Sequence, residues 1–169
     1  MDYSRLATEI REINTLNVWN ATKPEEWEDK YKFPAVVALI HSKISEAWGA
    51  EFVGDRENYL EELADIAIRV LDCIGCWANV DVNAMAEEAE TDQPCHMRTL
   101  GHLHAKSSRA LEMSRGNGGR SRFVAELIEV MVGAKRLCEF HGGDFHDEIR
   151  RKLAKNREKR GYRHGGKKV

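Results

Sequence analysis

Apolar residues recur at three- and four-residue intervals along almost the whole chain, and nowhere do β-branched residues alternate long enough to argue for a strand. Only three prolines interrupt the pattern, Pro24, Pro34 and Pro94. Pro34 is placed to open a helix with Val36, Val37, Ile40, Ile44, Ala47 and Trp48 on one stripe, ending near Gly54. Asp55 then reads as the N-cap of a second helix, striped by Leu60, Leu63, Ala64, Ala67, Leu71 and Ile74. Further helices are expected over 98–115 and 120–141, with "GNGG" as the break, and from Phe145 into a basic tail. "AEEAETDQPCH" reads as a polar linker. The expected fold is an all-α, antiparallel helical bundle. At 169 residues it forms one domain, with hairpins over 33–90 and 97–150 and a tail over 151–169.

The two hairpins echo each other. His41, Lys43 and Ala47 recur at one spacing as His104, Lys106 and Ala110. "EELADIA" aligns with "AELIEVM", setting Glu62 and Asp65 opposite Glu126 and Glu129, and "NVDVN" has a looser echo in "GGDFHD". Arg109 stands where the first half has Glu46, so the second half cannot repeat the same acidic set. The alternative is coincidence between similar amphipathic helices.

With 42% hydrophobic and 32% charged residues and a net charge of -2, the chain has the make-up of an ordinary globular protein, with no general attraction to nucleic acid. No apolar run approaches the roughly 20 residues that span a bilayer. "MDYSRLATEIREIN" has no apolar signal core, and a cytoplasmic protein is expected. Cys73 and Cys76 form a C-x-x-C inside an apolar helical run, Cys95 precedes His96, and Cys138 stands alone. Buried structural thiols fit this pattern better than zinc, which favours pairs on tight turns.

Glu62 and Asp65, three apart, project from one helix face, with Arg69 and Asp72 continuing that side. Glu46 flanks the stripe of the preceding helix, so closing the hairpin would gather three carboxylates. Such hard oxygen ligands suit Mg²⁺ or Mn²⁺. The competing reading is a solvated acidic face. From Arg150 to the end there are ten Lys or Arg against one acid, Glu158. Lys152, Asn156 and Arg160 are four apart and share a helical face suited to a polyanion. The alternative is a solubilising basic end. Of the four tryptophans, Trp48 and Trp77 are expected in the core. Trp19 or Trp27 is the candidate to stack on a nucleobase beside Asn17 or Asn20, with packing against the bundle as the commoner role.

"LIHSKISEAWGA", then "EELADIAIRVLD", then "KLAKNREKRGYRHGGK" together resemble the all-alpha nucleoside triphosphate pyrophosphohydrolases, the MazG-like superfamily, and within it the small members often encoded by phages. The likeness covers the chain from about Phe33 onward. That family carries an E-E-x-x-E helix followed by an E-x-x-D helix, which together hold magnesium. By resemblance Glu46 is the last acid of the first motif, and Glu62 and Asp65 are those of the second, making these three the metal ligands. Ser42 and Lys43 stand at the first two acidic positions. Lys152, Asn156 and Arg160 match the terminal nucleotide-contacting residues, and Tyr162, His164, Gly165, Gly166 and Lys167 match the ending of the phage-type relatives. Related single-hairpin proteins complete their bundle across subunits, so a homo-oligomer, a dimer, is expected, unless the repeat closes the bundle within one chain.

The implied reaction converts a (d)NTP to (d)NMP and pyrophosphate with Mg²⁺ or Mn²⁺. In it Lys152 and Arg160 steady the developing charge, and Glu61 or Asp72 takes the proton of the attacking water. The cation at Lys43 leaves two roles open. Asp72 or Glu61 supplies the missing oxygen, or Lys43 itself contacts the triphosphate. The second functional class is a catalytically weakened nucleotide-binding or helical interaction protein of the same fold.

Overall fold

The computed structural model describes residues 1–17, 22–92, 99–117 and 119–158. Among them there are seven α-helices and no strand. In chain order they are α1 (Tyr3–Leu16), α2 (Lys32–Val53), α3 (Arg56–Ile74), α4 (Val82–Asp92), α5 (Leu100–Glu112), α6 (Arg120–Phe140) and α7 (Phe145–Glu158). A short 3-10 turn, Pro24–Glu28, precedes α2.

The helix starts are set by short polar side chains whose oxygens take otherwise unpaired backbone N–H groups. Asp2 accepts from Arg5 N at 3.0 Å, Asp55 from Asn58 N at 3.1 Å and Thr99 from His102 N at 3.1 Å. Asp81 and Asp144, the two aligned aspartates of "NVDVN" and "GGDFHD", cap α4 and α7 with the same 3.0 Å bond, to Ala84 N and Asp147 N. Gly54 ends α2 at φ 72°, a left-handed conformation that costs glycine least, and the chain folds straight back into α3.

α2 packs on α3, α3 on α6, α6 on α5, and α5 on α2, which closes a four-helix ring within one chain. Its interior includes Ile40, Ile44, Ala47, Leu63, Ile66, Leu103, Leu127 and Met131, all fully buried or nearly so. α5 and α6 approach closely at Gly133, where a Cβ would lie 2.4 Å from Leu103 Cδ2. The outer helices are exchanged between the halves. α4, which follows the first hairpin, lies on α6 of the second, while α7, which follows the second, lies on α3 of the first. On the α2–α5 seam the aligned histidines meet, His41 Nδ1 and His104 Nδ1 being 2.9 Å apart.

Two helices depart from the sequence expectation. α1 buries Leu6, Ile10 and Ile13 against α3, and α4 runs through the first part of the stretch read as a linker, burying Val82 and Ala86. Trp77 is buried as expected, but Trp48 is 58% exposed on the outside of α2. Trp27 packs edge-on with Phe33, Trp77 and Phe123 at centroid distances of 5.1–5.7 Å, which commits its faces to the core. Cys73 and Cys138 are buried and Cys76 half-buried, all as free thiols, while Cys95 and His96 lie outside the described residues. No helix among the described residues is long and apolar enough to cross a membrane.

Candidate functional site

The hairpin α2–α3 brings the three predicted acids to one point, and Lys43 occupies that point. Its ammonium lies 2.7 Å from Glu46 Oε2, 3.1 Å from Glu62 Oε2 and 3.2 Å from Asp65 Oδ2. The helical period explains the meeting. Lys43 and Glu46 are one turn apart on α2, Glu62 and Asp65 one turn apart on α3, and antiparallel packing sets the two pairs face to face. Ser42 Oγ donates to the other Glu46 oxygen at 3.1 Å.

α7 closes the far side. Lys152 Nζ donates to Glu61 Oε1 at 2.8 Å and stands 3.7 Å from Asp65 Oδ2. Lys155 pairs with the second Glu61 oxygen, and Arg69 Nε lies 3.9 Å from Asp65 Oδ2. Four carboxylates, Glu46, Glu61, Glu62 and Asp65, therefore face four cations, Lys43, Lys152, Lys155 and Arg69. The cluster is neutral overall and its centre is buried, with Glu62, Asp65 and Lys152 each no more than 7% exposed, while Glu46 and Lys155 form an exposed rim.

Burial and pairing pull its titrations in different directions. Burial works against the charge on Lys43, but its bond to Glu46 and the fields of Asp65 and Glu62 outweigh burial and raise its pKa. Glu46 is held below its usual range because the Lys43 bond overcomes a modest burial penalty. Glu61 shows the same contest, burial against the bonds from Lys152 and Lys155, and falls to about 2. For Glu62 burial wins over Lys43 and the pKa rises. Glu62 Oε2 is near enough to Lys43 for ion pairing, yet it has no well-directed hydrogen bond among the described residues.

The second hairpin repeats the motif. Lys106 Nζ sits 2.5 Å from Glu129 Oε2 and 3.3 Å from Glu126 Oε2, and Glu126 Oε2 likewise lacks a well-directed hydrogen bond. Both halves thus place a lysine of the first helix between two acids one turn apart on the second.

The remaining predicted residues divide clearly. Asp72 turns away from the acids to Arg11, 3.8 Å distant, and to Asn14, and burial raises its pKa above the usual carboxylate value. Glu61 is committed to two lysines and is not a free base. Asn156 is 4% exposed on the packed side of α7, and its backbone oxygen accepts from Asn17 Nδ2 at 3.1 Å. Trp19, Arg160, Tyr162 and His164 lie outside the described residues. Arg69 continues the acidic face as expected, and Lys155 joined the cluster unanticipated. Lys155 carried a signal, its three-residue spacing from Lys152.

A divalent cation needs net negative charge and a free centre among its oxygens. Here the centre is Lys43 Nζ and the charge is already matched, so the side chains as arranged fit an ammonium better than Mg²⁺. Among the described residues, no group of three or more His, Cys, Asp or Glu is arranged to hold a metal ion. Neither family models, nor curated proteins, nor solved structures give a match to this chain.

Proposed function

We propose that this protein is a catalytically weakened nucleotide-binding protein on a MazG-like helical frame, with Lys43 standing in for part of the charge a metal would carry. The observation that supports this reading is the position of the Lys43 ammonium within 3.2 Å of an oxygen of Glu46, Glu62 and Asp65. Lys43 is partly reachable from solvent, and Lys155 lies on the same rim with more than half its side chain exposed. An incoming triphosphate would compete with the carboxylates for these ammonium groups. Each exchanged contact is charge-assisted, so the binding is expected to weaken with added salt. The family resemblance of the acid-bearing helices and the basic end points to nucleotide rather than to another polyanion.

A second reading keeps the enzyme, a pyrophosphohydrolase converting (d)NTP to (d)NMP and pyrophosphate with Mg²⁺ or Mn²⁺. What favours it is the convergence of three carboxylates on one point. It requires Lys43 to leave that point when metal and substrate arrive.

One screen separates the two. Pyrophosphate release is measured over all common NTPs and dNTPs with and without Mg²⁺ or Mn²⁺, alongside nucleotide binding by calorimetry. Metal-independent binding with little turnover supports the weakened binder. Robust metal-dependent release supports the enzyme. Neither binding nor release would leave a helical interaction protein.

A further inference from the structure

The outer helices cover two sides of the ring and leave one bare. Among the described residues α1 and α7 lie on α3 and α4 lies on α6, while no outer helix packs substantially on α2 or α5. The bare face is poor in charge. Of the eleven exposed residues of α2 only Glu46 and Glu51 are charged, against six of the eight exposed residues of α7. Glu51 belongs to the hairpin bend, where its field reaches Tyr59. What α2 exposes instead is Leu39, Trp48, Phe52 at 87% and Val53 at 74%. Few charges and exposed aromatic residues are what set the centre of a protein interface apart from ordinary surface.

Gly49 is a second, independent mark. It stands inside α2, where glycine is the poorest helix former after proline, and a Cβ there would meet nothing within 4 Å. Packing within the chain gives no reason for a bare backbone at this point, whereas close approach of a second backbone from outside does. α2 and α5 run antiparallel, since His41 meets Ser107 and Ser108 while Trp48, two turns further on, stands beside His104. The α5 half of the face exposes Gly101, Ala105 and Ser108. Large apolar side chains thus stand on one helix and small ones on the other.

The two flanks of the face carry opposite charges. Glu46 is on the α3 side, its side chain half exposed beside Lys43. Arg109, which the repeat aligns with Glu46, is on the α6 side, where its field acts on His102 together with those of Glu129 and Glu126. Arg109 has no ion pair or hydrogen bond among the described residues. A face with an acid on one flank and an unpaired base on the other is complementary to itself. A two-fold axis lying in the face, at right angles to the line from Glu46 to Arg109, sets each opposite the other in a second copy. We propose that this face is the interface of a homodimer, in which α2 of each copy lies across α5 of the other and Arg109 of each copy meets Glu46 of the other. Trp48 and Phe52 then pack over the small residues of the opposing α5. Each copy brings an arginine to the rim of the other's Lys43 cluster. The ring closes within one chain, so completion of a bundle is not the reason for this dimer. The inference concerns assembly alone and does not rest on the nucleotide reading.

The test is sedimentation velocity of the full chain over a range of concentrations, without nucleotide. A dimer in reversible exchange with monomer is expected. Phe52→Asp should weaken it by about tenfold or more, the effect of losing an aromatic anchor. Leu16→Asp, at the exposed end of α1, should leave it intact. Arg109→Glu should weaken it by about fivefold. Adding Glu46→Arg should restore most of that loss, which residues acting only within their own chain would not do. Circular dichroism on each variant should show the helices retained. A parent that stays monomeric at every concentration would overturn the proposal and leave the face to a different protein. So would a dimer that survives Phe52→Asp or is broken equally by Leu16→Asp, or an exchanged pair that folds yet stays apart.

Discussion

Lys43 shows how one side chain decides what a set of acids can do. Its three carboxylate neighbours are stabilised by its charge, and two of them, Glu62 and Asp65, are buried. Lys43→Ala would leave those two facing each other without a cation at their centre. Removing one partner of a buried ionic group costs about 3 kcal/mol, and chemical denaturation at neutral pH should show a loss of that order. The deficit should shrink in mild acid, because Glu62, whose pKa burial already raises, protonates first and no longer needs the ammonium. A deficit that stays constant down to pH about 4 would mean the lysine acts through packing. Lys43→Glu instead restores the fourth acid and should create calorimetrically detectable Mn²⁺ binding. The three-residue spacing of Glu62 and Asp65 made their meeting with Glu46 legible in the sequence. The burial of the cluster was not, since acidic residues on a helix mark a solvent face until another helix, here α7, covers them.

At the scale of elements, the helices that build the ring were readable because each carries a long apolar stripe. α4 was hidden by composition. Its buried residues, Val82 and Ala86, are small or few, while Glu87, Glu88, Glu90 and Asp92 dominate the local sequence. Trp48 misled for the reverse reason, a large apolar residue one position beyond the stripe's inner edge. α7 was expected as a helix running from Phe145 into a basic tail, its Lys152–Asn156 face free for a polyanion, and the packing of that face on α3 changes what truncation should do. Deleting residues 155–169 removes buried Asn156, the Lys155–Glu61 pair and the Arg157–Glu9 pair at 2.5 Å. A fall in melting temperature of several degrees is expected, the shift that about 1 kcal/mol produces in a domain of this size. Deleting only 159–169 spares Asn156 and both of these pairs, and its melting temperature is measured beside its nucleotide binding. If that shorter deletion weakens nucleotide binding at an unchanged melting temperature, the basic end contributes directly to the ligand, and the effect is not secondary to unfolding.

For the molecule as a whole, the two halves meet at His41 and His104. Ser107 Oγ donates to Leu103 O at 2.9 Å, which leaves it to accept from His41 Nε2 at 3.2 Å, so the 2.9 Å contact between the Nδ1 atoms runs from His104 as donor to His41 as acceptor. A second proton on the pair would set two N–H groups against each other. Both pKa values are lowered, that of His41 by burial and then by His104, that of His104 by burial. The stability they contribute is therefore present above the unfolded value of about 6.5 and is lost as pH falls through the folded values. Glu62 and Asp72, with raised pKa values, act in the opposite sense at lower pH. The melting temperature should decline from pH about 7 towards 5, and His104→Gln should flatten that decline. An identical profile in the variant would remove the pair from the pH response.

The exchange of outer helices carries a consequence for how the chain becomes a whole. A hairpin alone gives its own third helix little to rest on, since α4 packs mainly on α6 and α7 mainly on α3. Cutting the backbone after Asp92 would yield two pieces, each holding a lid that belongs to the other. Such a chain is completed late: a nascent first half can seat α4 on α1, where Tyr3 N donates to Asn83 Oδ1 at 2.7 Å, but the larger surface for that helix arrives only with α6.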